Sequence, residues 1–174
     1  ITEIVSNWDT NSWIFLLKGE YTYDANNNLI TEIVSNWDTN TTNWIYNSKY
    51  EYTYDTNNNL TTIIRSYWNT TIWIYNYKYE YTYDSNNNKT SEIYSNWDTS
   101  TNSWIYNSKD EYTYDLEVSI DNVLVPWTES NYPILSVSHY NYDGIDFVLY
   151  EKDIYYYSDI TSINEVIDNY NVAI

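Results

Sequence analysis

The stretch Tyr52-Thr53-Tyr54-Asp55-Thr56-Asn57-Asn58-Asn59 decides the fold. Side chains on a strand alternate faces, so Tyr52 and Tyr54 share one side while Thr53 and Asp55 take the other. The phrase then reads as a three-residue hairpin loop, Thr56-Asn57-Asn58, flanked by Asp55 and Asn59. Asn58 takes the left-handed position, where asparagine is the best substitute for glycine. Near-copies begin at Tyr21 and Tyr81, and Tyr112-Thr113-Tyr114-Asp115 keeps only the first half.

Working outward, four units begin at Ile1, Ile30, Thr61 and Thr90, at spacings of 29, 31 and 29 residues. A fixed period of that length marks a repeat architecture. Each unit reads as two strands, for example Ile30 to Asp38 and Trp44 to Tyr54. If Trp37 and Trp44 face each other across their loop, a regular antiparallel register sets Glu32 opposite Lys49. The same assumption gives Glu3 opposite Lys18 and Glu92 opposite Lys109, favourable charge pairs, while the third unit places Ile63 opposite Lys78. The loops hold four residues in units one and three and six in units two and four, a change of two that keeps every side chain on its face. One face is then expected to carry Leu29, Thr31, Ile33, Ser35 and Trp37 with Trp44, Tyr46, Ser48, Tyr50, Tyr52 and Tyr54. The other, wetter face carries Ile30, Glu32, Val34 and Asn36 with Ile45, Asn47, Lys49, Glu51 and Thr53.

Beyond Asp115 the pattern loosens. Leu116 to Val125 reads as a further strand stopped by Pro126. A worn fifth hairpin follows, with Tyr142 and Phe147 in the tryptophan positions, Lys152 in the lysine position and Tyr155 and Tyr157 as the tyrosine pair. The expected organisation is four hairpin repeats over 1–115, a diverged strand plus a fifth hairpin over 116–159, and a linker over 160–174.

Composition narrows the function classes. Tyr 24 and Trp 9 in 174 residues are a heavy load of strand-favouring aromatics, and Gly 2 leaves the turns to asparagine. With 25 acidic against 7 basic residues the net charge is −18, which repels phosphate backbones and anionic lipid, so nucleic acid is not an expected partner. The absence of cysteine removes disulfides and thiolate metal sites. The apolar run Trp13 to Leu17 is too short to cross a bilayer, so no membrane insertion is expected. Ile1 opens inside a repeat phrase, so the lack of a signal segment carries no meaning.

Three patterns suggest chemistry. Asp24, Asn26 and Asn28, and likewise Asp55, Asn57 and Asn59, have the alternating oxygens that open a calcium loop. The sixth-position glycine and twelfth-position glutamate are missing, with Leu60 and Ser66 there instead, so they read as hairpin turns and no metal or cofactor is expected. The aromatic stripe Trp8, Trp13, Trp37, Trp44, Trp68, Trp73, Trp97, Trp104, Tyr52 and Tyr54 reads as a packing or assembly face, with sugar stacking as the alternative. His139 stands without a nucleophile or a second histidine, so it reads as a strand-surface residue.

The phrase Tyr-Asp-x-Asn-x-Asn-Leu at Tyr23 to Leu29 and Tyr54 to Leu60 resembles the YD-repeat family, whose units carry glycine where Asn27, Asn58 and Asn87 stand here. The longer unit, with its Asn-Trp-Asp segment, is similar to repeat regions of secreted Bacteroidota proteins that use the type IX secretion system. In those proteins a tail like Tyr155 to Glu165 precedes the C-terminal sorting domain. The resemblance implies an extracellular or cell-surface location. The expected fold is all-β, an antiparallel meander of hairpin repeats in one long twisted or curled sheet. The expected function is a non-enzymatic structural module serving as spacer, adhesin segment or self-assembling subunit, with self-association or other surface proteins as partners. The alternative is a carbohydrate-binding module using exposed Trp/Tyr pairs.

Overall fold

The computed structural model describes residues 1–117 and 132–156. Among them are ten strands and no helix: β1 (Thr2–Asp9), β2 (Ser12–Tyr23), β3 (Leu29–Asp38), β4 (Asn43–Tyr54), β5 (Leu60–Trp68), β6 (Trp73–Tyr83), β7 (Lys89–Asp98), β8 (Ser103–Tyr114), β9 (Ile134–Tyr142) and β10 (Phe147–Ile154). They form one antiparallel meander in chain order, with β1 and β10 as its two unclosed ends. The all-β meander expected from the repeats is the fold observed. Leu116 and Glu117 lie in a turn rather than a strand. The rest of the expected strand to Val125, together with Tyr157 and the 160–174 segment, lies outside the described residues.

Two compact units make up the chain, one of Ile1–Glu80 with Tyr94–Tyr106 and the other of Tyr81–Ile93 with Asn107–Ile174. In the first unit the tryptophans pair as expected, Trp8 with Trp13, Trp37 with Trp44 and Trp68 with Trp73. The Asn-rich turns also form as expected. The Asp55 backbone N–H donates to the Asn59 carbonyl (2.9 Å), and Asn58 adopts φ 64°. Asn27 and Asn87 do the same at 66° and 63°. In the second unit Tyr142 pairs with Phe147 and Lys152 lies opposite Ser138, so the fifth hairpin is real. Its opening turn differs, because the Asp115 N–H donates to the Pro133 carbonyl (2.9 Å), which puts Pro133 where the other repeats have asparagine.

The expected Glu/Lys ladder is not what the strands make. Each hairpin of the first unit carries a bulge, between Val5 and Ser6, Val34 and Ser35, or Arg65 and Ser66, where one extra residue enters the second strand. In the second repeat that residue is Asn47, and beyond it Lys49 lies opposite Ile33 while Glu32 lies opposite Tyr50. Likewise Lys18 meets Ile4 rather than Glu3, and Lys78 meets Ile64 rather than Ile63. A single inserted residue exchanges the faces of everything after it. Lys49, Glu51 and Thr53 therefore join Trp37, Trp44 and Ser35, while Ser48, Tyr50, Tyr52 and Tyr54 move to the face of Val34 and Glu32. A second bulge, such as that beside Thr53 and Tyr54, lies between β2 and β3, between β4 and β5 and between β8 and β9.

Little of the sheet is sealed from water. Val137 is the one buried hydrophobic side chain among the described residues, and the most enclosed groups are small or polar: Ser35, Ser66, Ser95, Asn88 and Pro133. Ser35 lies between Lys18 and Tyr46, and Ser66 between Lys49 and Tyr75, so long neighbours cover a short residue from both sides.

Because the bulge sets the faces by residue count, the identity of Asn47 matters little and its presence matters greatly. Asn47→Ala, at an exposed side chain, should change unfolding free energy by no more than about 0.5 kcal/mol in urea titration. Deleting Asn47 should cost roughly 3 kcal/mol or more, since it turns Lys49, Glu51 and Thr53 to the wrong side.

Candidate functional site

The tryptophan face is built from one unit repeated along the first part of the chain. Trp37 and Trp44 meet edge to face with centroids 5.1 Å apart, Trp68 and Trp73 at 5.2 Å, and Trp97 and Trp104 at 5.0 Å. A ring from the preceding repeat wedges onto each pair. Phe15 lies 5.2 Å from Trp37 and 5.7 Å from Trp44, Tyr46 lies 5.3 and 5.4 Å from Trp68 and Trp73, and Tyr75 lies 5.0 and 5.4 Å from Trp97 and Trp104. Such offset and edge contacts satisfy the ring quadrupoles and add about 0.5–1.5 kcal/mol each beyond burial.

Over each cluster lies a lysine. Lys18 Nζ is 5.9 Å from the Trp44 centroid, Lys49 Nζ 5.8 Å from Trp73 and Lys78 Nζ 5.3 Å from Trp104. In the second unit Lys109 does the same with Phe147 at 5.7 Å and Tyr140 at 5.5 Å. Each ammonium is also paired along its own strand, Lys18 with Glu20 (2.8 Å), Lys49 with Glu51 (2.9 Å), Lys78 with Glu80 (2.7 Å) and Lys109 with Glu111 (2.5 Å). The carboxylate and the ring face share one cation, and Lys18 and Lys49 lie directly opposite the buried Ser35 and Ser66. Trp8 and Trp13 differ. Their rings meet at 5.4 Å, but they are 60% and 66% exposed, and among the described residues no ring or lysine from a neighbouring strand is recorded against them.

Tyr52 and Tyr54, expected on the tryptophan face, stand on the opposite one. There Tyr50 and Tyr52 stack at 6.5 Å, and the Tyr52 hydroxyl donates to Glu32 (3.3 Å). Burial and then the Glu32 carboxylate raise that phenol's pKa. Arg65 fills the gap between rings, 5.9 Å from Tyr50 and 5.8 Å from Tyr77, donating from Nε to the Tyr50 hydroxyl (3.2 Å) and from Nη1 to Asn76 (2.6 Å).

The weak metal candidates are engaged in their turns. Asp24 Oδ1 accepts from the backbone N–H of Asn26 (2.9 Å) and Asn28 (2.8 Å), and its Oδ2 accepts from the Asn28 amide (3.0 Å). Asp55 repeats this with Asn57 (2.8 Å) and Asn59 (2.8 and 2.9 Å). The Asn59 amide first, then the backbone donors of Asn59 and Asn57, hold the Asp55 carboxyl below the usual carboxylate range. Asn26 and Asn28 each donate a side-chain N–H to Asn58 Oδ1, at 3.1 and 2.9 Å, which ties the first turn to the second. Sequence reading placed the turns and missed this bridge between them.

In the second unit His139 has partners that the sequence did not reveal. Its Nδ1 is 2.8 Å from Asp110 Oδ1 on β8, and its Nε2 is 3.4 Å from Asp153 Oδ2 on β10. Glu151 lies directly opposite it on β10, and Tyr150 lies 6.1 Å away. Only imidazolium donates from both ring nitrogens, so these carboxylates, Asp110 above all, raise the histidine pKa.

Two outcomes follow from this geometry. Lys49→Met keeps the stem over Ser66 and loses the charge, and should cost about 1 kcal/mol in chemical denaturation, with Lys49→Ala costing more. For His139, the folded pKa is raised above the unfolded value near 6.5. Its contribution to stability is therefore fully present below about pH 6.5 and is lost as pH rises through the folded pKa. Thermal midpoints measured from pH 5.5 to 8.5 should fall over that window, and His139→Asn should remove that component of the fall.

No protein-family model matches the chain, and no curated protein sequence matches it. Among solved structures it is similar to a protein of unknown function from Bacteroides fragilis NCTC 9343, with a TM-score of 0.59 and 17% identity over 80% of this chain and 91% of that one. Also similar are a DUF3836 family protein from Bacteroides vulgatus ATCC 8482 (TM-score 0.43, 24% identity, 52% of this chain and 89% of that chain) and one from Parabacteroides distasonis ATCC 8503 (0.39, 22%, 49% and 82%). The likeness to the B. fragilis protein is one of fold: these are β-sheet proteins of Bacteroidota whose function is unknown.

Proposed function

We propose that this chain is a non-enzymatic structural repeat module of a secreted or cell-surface protein, serving as spacer, adhesin segment or self-assembling subunit. The observation that carries the reading is that the lysines, glutamates, tryptophans and turn aspartates are repeated and committed to the sheet. Lysine, glutamate and tryptophan recur in the same cross-strand cluster, and the turn aspartates accept from their own loops. A catalytic site needs an asymmetric group of residues, whereas equal contacts in successive hairpins suit a module that extends by adding hairpins. The extracellular placement rests on the resemblance of the repeat phrase to YD-repeat units and to type IX secreted repeat regions.

One observation favours a carbohydrate-binding reading, namely the exposed rings of Trp8 and Trp13. Their planes stand at 73°, however, so the pair offers no flat platform for successive sugars. Titrating the chain with soluble xylan, laminarin and mannan while following tryptophan emission separates the two readings. The structural reading expects no quenching at millimolar sugar. Saturable quenching that Trp13→Ala abolishes would replace it with the glycan reading.

A further inference from the structure

One row of side chains crosses the tyrosine face of the first unit from β2 to β6. Tyr21 lies opposite Glu32, Glu32 opposite Tyr50, Tyr50 opposite Arg65 and Arg65 opposite Tyr77. From either end the row alternates tyrosine with charge, and the two charges, of opposite sign, stand on either side of Tyr50. Arg65 is the chain's one arginine, and the equivalent positions before the serine in the other repeats are Val5, Val34 and Tyr94. The repeat itself therefore does not call for a cation there. Among the described residues neither Arg65 nor Glu32 has an ion-pair partner, whereas Lys18, Lys49, Lys78, Lys89 and Lys109 each hold a glutamate within 2.9 Å. Nor do the two pair with each other, since β4 keeps their strands roughly 10 Å apart with Tyr50 between them.

The guanidinium is already aimed. The Tyr50 and Tyr77 rings flank it, Nε donates to the Tyr50 hydroxyl and Nη1 to Asn76, so it stands level with the tyrosine tips at the outer limit of this layer. Its Nη2 has no hydrogen-bond partner among the described residues, which leaves the end of the fork open to a carboxylate. The tyrosine hydroxyls beside it are satisfied within the chain. Tyr50 accepts from Arg65, Tyr52 donates to Glu32, and Tyr54 donates to the Leu29 carbonyl (3.0 Å), so covering the face strands none of these three. Apolar surface borders the row, with Ile45 and Tyr67 on the same face 42% and 38% exposed.

We propose that this face docks against the same face of a second copy of the chain, about a two-fold axis that runs along β4 over Tyr50. Stacked sheets lie about 10 Å apart with their strands within ~30° of one another, an angle that displaces facing residues least next to the axis. Rotation about that axis keeps the strand direction and reverses the strand order, so β3 of one copy lies over β5 of the other and β2 lies over β6. Glu32 of each copy then meets Arg65 of the other, Tyr21 meets Tyr77, and Tyr50 meets Tyr50. The neighbouring row agrees, with Val34 meeting Tyr67 on either side of Ser48. Charge selects this occupant and this place. Copies of net charge −18 repel one another at large, and the reciprocal Arg65 and Glu32 contacts offset that repulsion only where these two faces meet. The contact is isologous and closes at two copies. It rests on the structural-module reading and names the partner and the surface for it.

Exchanging the charges tests it. Glu32→Arg sets two arginines against each other at both contacts, and Arg65→Glu sets two glutamates, but a mixture of the two variants restores opposite charges at both. Sedimentation velocity of the 174-residue chain at about 0.15 M salt, where screening acts within ~8 Å, reads the result, with circular dichroism reporting the fold of each variant. The wild type should pass from 21.0 kDa to twice that mass as concentration rises, and no further. Each exchange variant alone should stay monomeric, and their equal mixture should dimerise. Where an exchange unfolds the chain, the milder Glu32→Gln and Arg65→Gln replace it, and each should weaken the dimer about tenfold or more. A wild type that is monomeric at every concentration, growth beyond the dimer, a dimer that neither glutamine variant weakens, or folded exchange variants whose mixture stays monomeric would each overturn the proposal. So would a monomeric chain that binds glucuronate saturably and loses it in Arg65→Gln, since the fork would then serve a small carboxylate ligand. A monomeric wild type leaves the spacer reading standing, which fails instead on saturable quenching by the neutral glycans.

Discussion

A lysine over a tryptophan, with a glutamate two residues along holding the same ammonium, is the contact on which this sheet depends. Val137 is the one buried hydrophobic side chain among the described residues, so the usual source of stability, a sealed apolar core, contributes little here. The large rings shelter one another across strands instead, and the lysine stems close over the spaces between them. Ser35, Ser66 and Ser95 are the most deeply enclosed positions of the first unit, and long side chains stand beside Ser35 and Ser66 on both neighbouring strands. Two of their hydroxyls, on Ser35 and Ser95, have no hydrogen-bond partner, a cost of burying a small polar group that the surrounding ring contacts must outweigh.

The bulges make that contact available. On a regular strand a residue five positions after a tryptophan points to the opposite face. Trp13 and Lys18, Trp44 and Lys49, Trp73 and Lys78, Trp104 and Lys109, and Phe147 and Lys152 all keep that odd spacing. In four of these five the strand pairing places one extra residue between them, Leu16, Asn47, Asn76 or Tyr150, which returns the lysine to the ring's face. The same step carries the tyrosines to the other face, where they stack and coordinate Arg65. Two different side-chain layers, one of tryptophan and lysine and one of tyrosine and arginine, thus come from a single strand sequence.

This also explains what the sequence disclosed. The turns were legible because aspartate and asparagine fix a local geometry by bonds within five residues, and Asn58 at φ 64° is the position that such a loop requires. The tryptophan pairs were legible because they sit next to a short loop whose closure leaves one register. The lysine partners were not, because a bulge is one weakly marked residue: asparagine stands there at 47 and 76, but Leu16 and Tyr150 fill the same place in other hairpins. An alternation argument carried past that point inverts every assignment after it, and so it joined Tyr52 and Tyr54 to the tryptophans and paired Glu32 with Lys49. The partners of His139 were hidden for a different reason, since Asp110 and Asp153 come from strands on either side and meet it only once both registers are known.

Variation in the chain falls where this construction tolerates it. Between the fourth and fifth hairpins a long segment replaces the Asn-rich turn, yet the ladder resumes as though the turn were present, with Asp115 bonded to Pro133 and Thr113 to Ser136 (2.9 Å). Ile134 then faces Tyr114 as Leu60 faces Tyr54, with the same bulge beside it. Loop closure grows only slowly more costly with length, so a turn can be lengthened without disturbing the strands on either side. A residue added within a strand has no such freedom, since it changes which face meets the next lysine. The repeats can therefore differ by two residues at the tryptophan loops and by many at one Asn turn, while the spacing between the second tryptophan and the lysine stays fixed at five, even where phenylalanine has replaced the tryptophan.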